Sequence, residues 1–232
     1  VVAAGRFSGN LTFTGLPTIY SANSQHTGTM HDGVTMDGWV GTFDSDLNPL
    51  WVTRWPESPI GATEYGSRCL GAAFDASNDI IAVGYQCNAT CAGAVSKMAG
   101  SDGTQAWEKK FTDVQSFERI TMSTDGSGDF FVRGKSLTTT GVATAANPTP
   151  FGVSCAADSC GVVARMTSDG ALVWARTIEG ADYSISYFSG EIGLDATGAP
   201  YIYLTMKDAA KSGPVSLDSG TPYAGCKDDT TS

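Results

Sequence analysis

The feature that most constrains this chain is an internal repeat marked by tryptophan. Residues 37–55 read DGWVGTFDSDLNPLWVTRW, residues 93–111 read GAVSKMAGSDGTQAWEKKF, and residues 161–178 read GVVARMTSDGALVWARTI. Each copy is an alternating apolar run, a short turn containing Asp, and a second alternating run. The second run carries the tryptophans, which are Trp51, Trp107 and Trp174. Alternation with a period of two indicates half-buried β-strands, and repeats of one design predict units that stack on each other.

A second repeated element links the tryptophan copies. Residues 70–86, 120–136 and 190–206 each read as a strand, a polar turn of about four residues, and an apolar strand. The turns align on Asp75, Asp125 and Asp195. Asp, Asn and Gly suit tight turns, so each segment predicts a β-hairpin. The opening residues, VVAAGRFSG, match the second strand of this hairpin without the first.

These two elements predict an all-β fold, a β-propeller-like array of four-stranded antiparallel blades. About thirteen strands can be counted, which gives about three and a half blades in one repeat region over residues 1–232. The approximate units are 1–69, 70–117, 118–187 and 188–232. This number of blades does not close a ring. We therefore expect an incomplete part of a longer chain, or an open assembly whose strand edges pair between subunits.

Two runs carry a resemblance to known families. The sequences IIAVGYQ and VARMTSDGALVW resemble the seven-bladed propeller-type repeats of secreted proteins, and they are similar to the blades of quinoprotein dehydrogenases. The resemblance implies the blade architecture but no particular activity, because one fold hosts many functions. Recurrence of the tryptophans in every copy favours packing between blades over stacking on a ligand.

Six cysteines suggest local disulfides. Two cysteine pairs each enclose a short loop, Cys87 with Cys91 and Cys155 with Cys160, which predicts two disulfides and an oxidising compartment. Free buried thiols and a zinc site are the alternatives, although no second ligand pair stands at zinc spacing. The remaining cysteines, Cys69 and Cys226, have no assigned partners.

Charge and glycosylation patterns point to the cell exterior. The formal net charge of −10 disfavours nucleic acid and anionic lipid as partners. No apolar run is long enough for a membrane-spanning helix, so we expect no direct insertion into a membrane. Asn10 and Asn88 each begin an N-glycosylation acceptor pattern, and residues 138–150 are rich in Thr and Ala. We expect an extracellular or cell-surface protein.

Catalytic patterns are weak. Asp44, Asp46 and Asn48 resemble the start of a calcium loop, but the glycine and glutamate that complete the pattern do not follow; a hydrogen-bonded Asp turn is the alternative. His26 and His31 lie in one polar loop, and no GxSxG elbow occurs. We predict no catalytic residues and no cofactor, with calcium as the one ion these oxygens could hold.

Three functions remain open from the sequence. The first is a non-enzymatic structural or adhesive glycoprotein module, such as a subunit of a cell-surface fibre or coat, whose partners are other protein subunits, copies of itself or glycans. The second is a fragment of a quinoprotein-like dehydrogenase, to whose blades the repeats are similar. The third is a lectin-like propeller that binds carbohydrate through loop aromatics, for which the candidates are Tyr20, Tyr65 and Tyr223.

Overall fold

The protein is built from antiparallel β-strands. The computed structural model describes residues 1–20, 36–55, 66–87, 91–137, 155, 159–179, 189–205 and 216–217. In chain order the strands are β1 (Val2–Phe7), β2 (Asn10–Leu11), β3 (Ile19–Tyr20), β4 (Asp37–Phe43), β5 (Pro49–Trp55), β6 (Gly66–Phe74), β7 (Ile80–Cys87), β8 (Cys91–Met98), β9 (Gln105–Phe111), β10 (Val114–Met122), β11 (Phe130–Leu137), β12 (Ser159–Met166), β13 (Leu172–Glu179), β14 (Ser189–Leu194), β15 (Pro200–Thr205) and β16 (Ser216–Leu217). Within these ranges no helix occurs, and so none that could cross a membrane.

The strands form four successive sheets. Sheet 1 has the order β1-β4-β5, sheet 2 β6-β7-β8-β9, sheet 3 β10-β11-β12-β13, and sheet 4 β14-β15. Strand β16 adds to the outer edge of β13, and β2 with β3 forms a small hairpin in the connection from β1 to β4. The predicted all-β class and its four-stranded antiparallel sheets are confirmed. The strands that the structure describes do not close a ring.

The repeat is exact at the level of register. In sheets 1 to 3 the strand before the tryptophan pairs with the tryptophan strand in one register, and a bulge follows directly after the same position. The residues that lie opposite a tryptophan are Thr42 opposite Trp51, Lys97 opposite Trp107, and Arg165 opposite Trp174. These three sites are therefore structurally equivalent.

Central strands are buried on both faces, which explains their continuous apolar runs. In β7, Ile80 and Ala82 pack into the core between sheets 1 and 2, whereas Ile81 and Val83 pack into the core between sheets 2 and 3. Fully burying one such aliphatic side chain contributes about 1.5–3 kcal/mol. The stacking is repetitive: β6 packs on β1 and β4, and β10 packs on β7 and β8.

The two ends of each sheet differ. Asp-containing turns close the hairpins at one end, which we call the turn end, and contacts between neighbouring turns hold them together there. The opposite end, which we call the loop end, has the connection of residues 8–36 between β1 and β4, that of residues 88–90 between β7 and β8, and that of residues 138–158 between β11 and β12.

Candidate interaction site

Neighbouring sheets contact each other through a tryptophan that packs on a glycine turn. The indole of Trp51 is buried, and its Nε1 donates a hydrogen bond to the carbonyl oxygen of Gly100, at 2.8 Å, in the turn of sheet 2. In the same turn, Gly103 has a φ of +76°, and a Cβ there would lie 2.6 Å from Cε3 of Trp51. Only glycine combines this left-handed backbone with so close an approach.

The contact recurs one sheet later. Gly170, in the turn of sheet 3, also has a φ of +76°, and a Cβ there would lie 2.8 Å from Cη2 of Trp107. Trp51 and Trp107 thus each lie on the turn of the following sheet. Trp174 lies against Phe131 of its own sheet, with ring centroids 6.1 Å apart, and packs on the small core shared with sheet 4.

The Asp residues of the repeat initiate the turns through their own side chains. Asp44 Oδ1 accepts hydrogen bonds from the backbone N–H groups of Asp46, at 2.9 Å, and Asn48, at 2.8 Å. The Asn48 side chain donates to Asp44 Oδ2, and these hydrogen bonds lower the pKa of the Asp44 carboxyl. The three calcium candidates, Asp44, Asp46 and Asn48, thus form a hydrogen-bonded Asp turn, which is the alternative that the sequence offered. Over the described ranges no group of three or more His, Cys, Asp or Glu side chains is placed to hold a metal ion.

The hairpin turns use the same device. In each hairpin, Oδ1 of the first Asp accepts the N–H of the residue two positions on. These aspartates are Asp75, Asp125 and Asp195. Hydrogen bonds from Thr197 and Ala199 lower the pKa of Asp195. The sequence motif thus fixes the turn geometry locally, in keeping with the side-chain preferences of tight turns.

In sheets 2 and 3 a cation on the third strand pairs with the carboxylates of the hairpin turn. In sheet 2, Lys97 Nζ lies 2.7 Å from Asp75 Oδ2 and 3.2 Å from Asp79 Oδ2. The hydrogen bond to Asp75 raises the pKa of Lys97. Lys97 lies opposite Trp107 in the strand pairing, so the ion pair and the tryptophan contact stand at the same level of the sheet.

Sheet 3 repeats the bridge and sheet 1 lacks it. Arg165 Nη2 lies 2.9 Å from Asp125 Oδ2 and 2.8 Å from Asp129 Oδ2. At the equivalent site in sheet 1 stands Thr42, which is 3% exposed and whose Oγ1 has no hydrogen-bond partner among the described residues. The sequence analysis missed the two cations, although both directly precede a Met that ends the strand.

The structure joins Cys87 to Cys91 and Cys155 to Cys160, with Cα atoms 4.0 and 5.4 Å apart. Both disulfides lie at the loop end and indicate an oxidising environment. Cys69 is a free thiol in the core, and burial raises its pKa. The acceptor Asn10 is exposed at the start of β2. Two other predicted residues, Cys226 and Asn88, lie outside the described residues.

A groove runs between the β2–β3 hairpin and strand β5. Its volume is about 470 Å³, and its walls include Tyr20 and residues 51–54. Tyr20 is 66% exposed at this site. The other aromatic and histidine candidates lie outside the part of the chain that the structure describes, and they are Tyr65, Tyr223, His26 and His31.

Comparisons with known proteins add little. No family model and no curated protein matches this sequence. The solved structures that match include a protein of unknown function from Bacteroides caccae, at 10% identity and a TM-score of 0.38. That match covers 78% of this chain, and the chain spans 56% of the length of that structure. Such a likeness carries no argument about function.

Proposed function

We propose that this protein is a non-enzymatic extracellular structural or adhesive module that acts by contact with other subunits or with copies of itself. The observation that carries the proposal is the repeated contact in which an indole packs on the glycine turn of the next sheet. Neighbouring sheets share their buried cores, as the units of other stacked repeat proteins do. A chain of this construction supplies extended surfaces and edges for contact.

The sheets in this proposal are blades of a propeller-like array. Support comes from the four-stranded meanders, from their common register, and from first strands that pack across the face of the preceding sheet. The array is open in the proposal, so its edges are available for partners.

The extracellular and glycoprotein parts of the proposal rest on the loop end. The two disulfides require an oxidising compartment to form and persist. Asn10 is an exposed acceptor in the connection from β1 to β4. A glycan at this end would leave the turn end, where the sheets contact each other, uncovered.

Secretion of the whole chain from eukaryotic cells tests this proposal. Light scattering over a range of concentrations and electron microscopy should show association into regular oligomers or filaments. Removal of N-linked glycan should lower the mass of the wild-type protein, and N10Q should lack the part of this loss that comes from Asn10. N48Q, which changes an Asn outside any acceptor pattern, should behave as the wild type. A chain that remains monomeric at all concentrations, with free thiols at the paired cysteines, would refute the proposal.

A second candidate function is carbohydrate binding in the groove beside β5. The exposed ring of Tyr20 on a groove of this volume favours it, because aromatic faces stack on sugar rings. A glycan array probed with wild type and Y20A tests it, with Y201A, which also loses an exposed tyrosine, as the control. Binding that both variants retain equally would count against the groove.

A further inference from the structure

We infer that the outer edge of β5 is a docking site at which an extended peptide segment of a partner subunit adds as a strand and places a carboxylate beside Arg54. This inference deepens the proposed contact with other subunits and rests on it. It names the edge that receives the partner and the chemistry of the segment that fits there.

The backbone of β5 presents hydrogen-bonding groups away from its sheet. In β4, the N–H and C=O groups of Phe43 bond to the start of the chain beside β1. Because bonded residues alternate along a strand, the backbone groups of the neighbouring Thr42 bond to β5, where Thr42 lies opposite Trp51. The same alternation directs the N–H and C=O groups of Val52 and Arg54 away from β4. No described strand pairs with that side of β5, and an edge of this kind is a template for another strand.

A groove gives this edge a second wall. Residues 16–20, which include β3, and residues 51–54 of β5 line the groove, whose volume is about 470 Å³. Val52 and Arg54, the residues with outward backbone groups, both belong to its walls. An added strand would bond to β5 on one side and contact the β3 wall on the other. The alternating N–H and C=O groups of such an edge match those of an extended peptide backbone, and a sugar has no such repeat.

The equivalent outer edges of sheets 2 and 3 are protected or filled. Their strands β9 and β13 align with β5 through the common register of the tryptophans. In β9 the places of Val52 and Arg54 are taken by Glu108 and Lys110, whose side chains pair at 3.3 Å, and charged side chains discourage strand addition. On β13 the short strand β16 adds to the same edge. The fold therefore accepts a strand at this edge in sheet 3, and over the described ranges β5 has neither such an ion pair nor an added strand.

Arg54 selects the charge of the segment. It is the one charged residue in the walls of the groove, and the ion pairs formed among the described residues do not include it. The residue directly opposite Arg54 on an added strand projects to the same face of the sheet, where an opposite charge is stabilising. The segment that fits best therefore carries Asp or Glu at that place.

A labelled peptide of residues 213–219 tests the inference on the whole chain. The peptide contains the segment that adds to β13, and Asp218 supplies its carboxylate. We expect saturable binding by fluorescence anisotropy, and at least about tenfold weaker binding to V52P, which removes an outward N–H and keeps the hydrogen bonds of β5 to β4. V52T changes the same side chain but keeps that N–H, so it should bind like the wild type.

Changes to the peptide test the same contact on the unaltered protein, should V52P fail to fold. N-methylation at Ser216 or at Leu217 blocks one backbone N–H each, and only one of two neighbouring N–H groups faces β5 in an added strand. One of these modifications should abolish binding and the other should preserve it. R54Q should weaken binding of the unmodified peptide by up to about fivefold and leave binding of the D218N peptide nearly unchanged, since the two charges act as one pair.

The outcomes separate this inference from the function on which it rests. Equal binding by V52P and V52T, or equal effects of the two N-methyl groups, would overturn the inference. Self-association of the chain without any peptide binding would overturn it and leave the proposed function standing. Glycan binding that depends on Tyr20, again without peptide binding, would overturn it in favour of the second candidate function. A chain that binds the peptide yet stays monomeric, with free thiols at the paired cysteines, would overturn the proposed function and, with it, a subunit as the source of the segment.

Discussion

The contact between Trp51 and Gly103 can be tested by adding a single methyl group. In G103A the new Cβ would stand 2.6 Å from the indole, so the ring must move by most of an ångström to reach an ordinary contact of 3.4 Å or more. Displacing a buried indole in a packed site costs about 1–3 kcal/mol. Alanine at a φ of +76° costs about 1 kcal/mol more in backbone strain. The free energy of unfolding should therefore fall by about 3 kcal/mol.

Gly126 provides the matched control. Its φ is +78°, yet a Cβ there would have nothing within 4 Å. The free energy of unfolding of G126A should therefore fall only by the backbone strain, about 1 kcal/mol. Urea denaturation followed by circular dichroism measures both variants without relying on the fluorescence of the displaced tryptophan.

A cycle with W51A completes the test. In the W51A background the ring is gone, so G103A should cost no more than G126A does in the wild type. Equal losses for G103A and G126A in the wild-type background would refute the claim that the indole, and not the backbone angle, makes glycine necessary in this turn.

Three further changes have defined outcomes. T42V removes a buried hydroxyl without a described partner, so the free energy of unfolding of the unassembled chain should stay constant or rise by about 1 kcal/mol in urea denaturation; a loss of that size would contradict it. The Asp195 carboxyl has a pKa below its ordinary 3.8, so its contribution is present above that pH and is lost as the pH falls toward the folded-state value, and D195N should flatten this part of an acid titration of stability; an unchanged slope would count against it. Reduction of the disulfide between Cys155 and Cys160, which closes a short loop, should cost about 2 kcal/mol in thermal unfolding, whereas alkylation of Cys69 should require unfolding; labelling of Cys69 in the native protein would contradict its burial.

The order of the strands could be predicted because the signals for each principal strand lie within its own residues and the adjoining turns. Alternation, turn residues and the repeated tryptophan give thirteen principal strands, and the structure has three in sheet 1, four each in the next two meanders, and two in sheet 4. The strand boundaries were less visible. Strand β6 begins at Gly66 and β10 at Val114, so the approximate unit borders at 69/70 and 117/118 fall inside strands. A bulge in each of these strands interrupts the alternation that marks a border.

Contacts between strands that are distant in sequence could not be predicted in the same way. Lys97 reaches back 22 residues to Asp75, and Arg165 reaches back 40 to Asp125. The alternation of a strand does not show which residue of a distant turn a given side chain contacts. The one sequence signal for a shared role is that Lys97 and Arg165 each directly precede a Met. The additions β2, β3 and β16 are two residues long, too short for any periodic signal.

The turn of sheet 1 carries one exception to the glycine pattern, and it gives the tryptophan contact a direction. Leu47 stands where the later turns have Gly103 and Gly170, with a φ of +63° and 66% of its surface in solvent. By equivalence with Gly103, the Leu47 side chain projects where an indole packs on the later turns. The tryptophan contact of this structure therefore runs one way, from the tryptophan of one sheet to the glycine turn of the sheet that follows it in the chain.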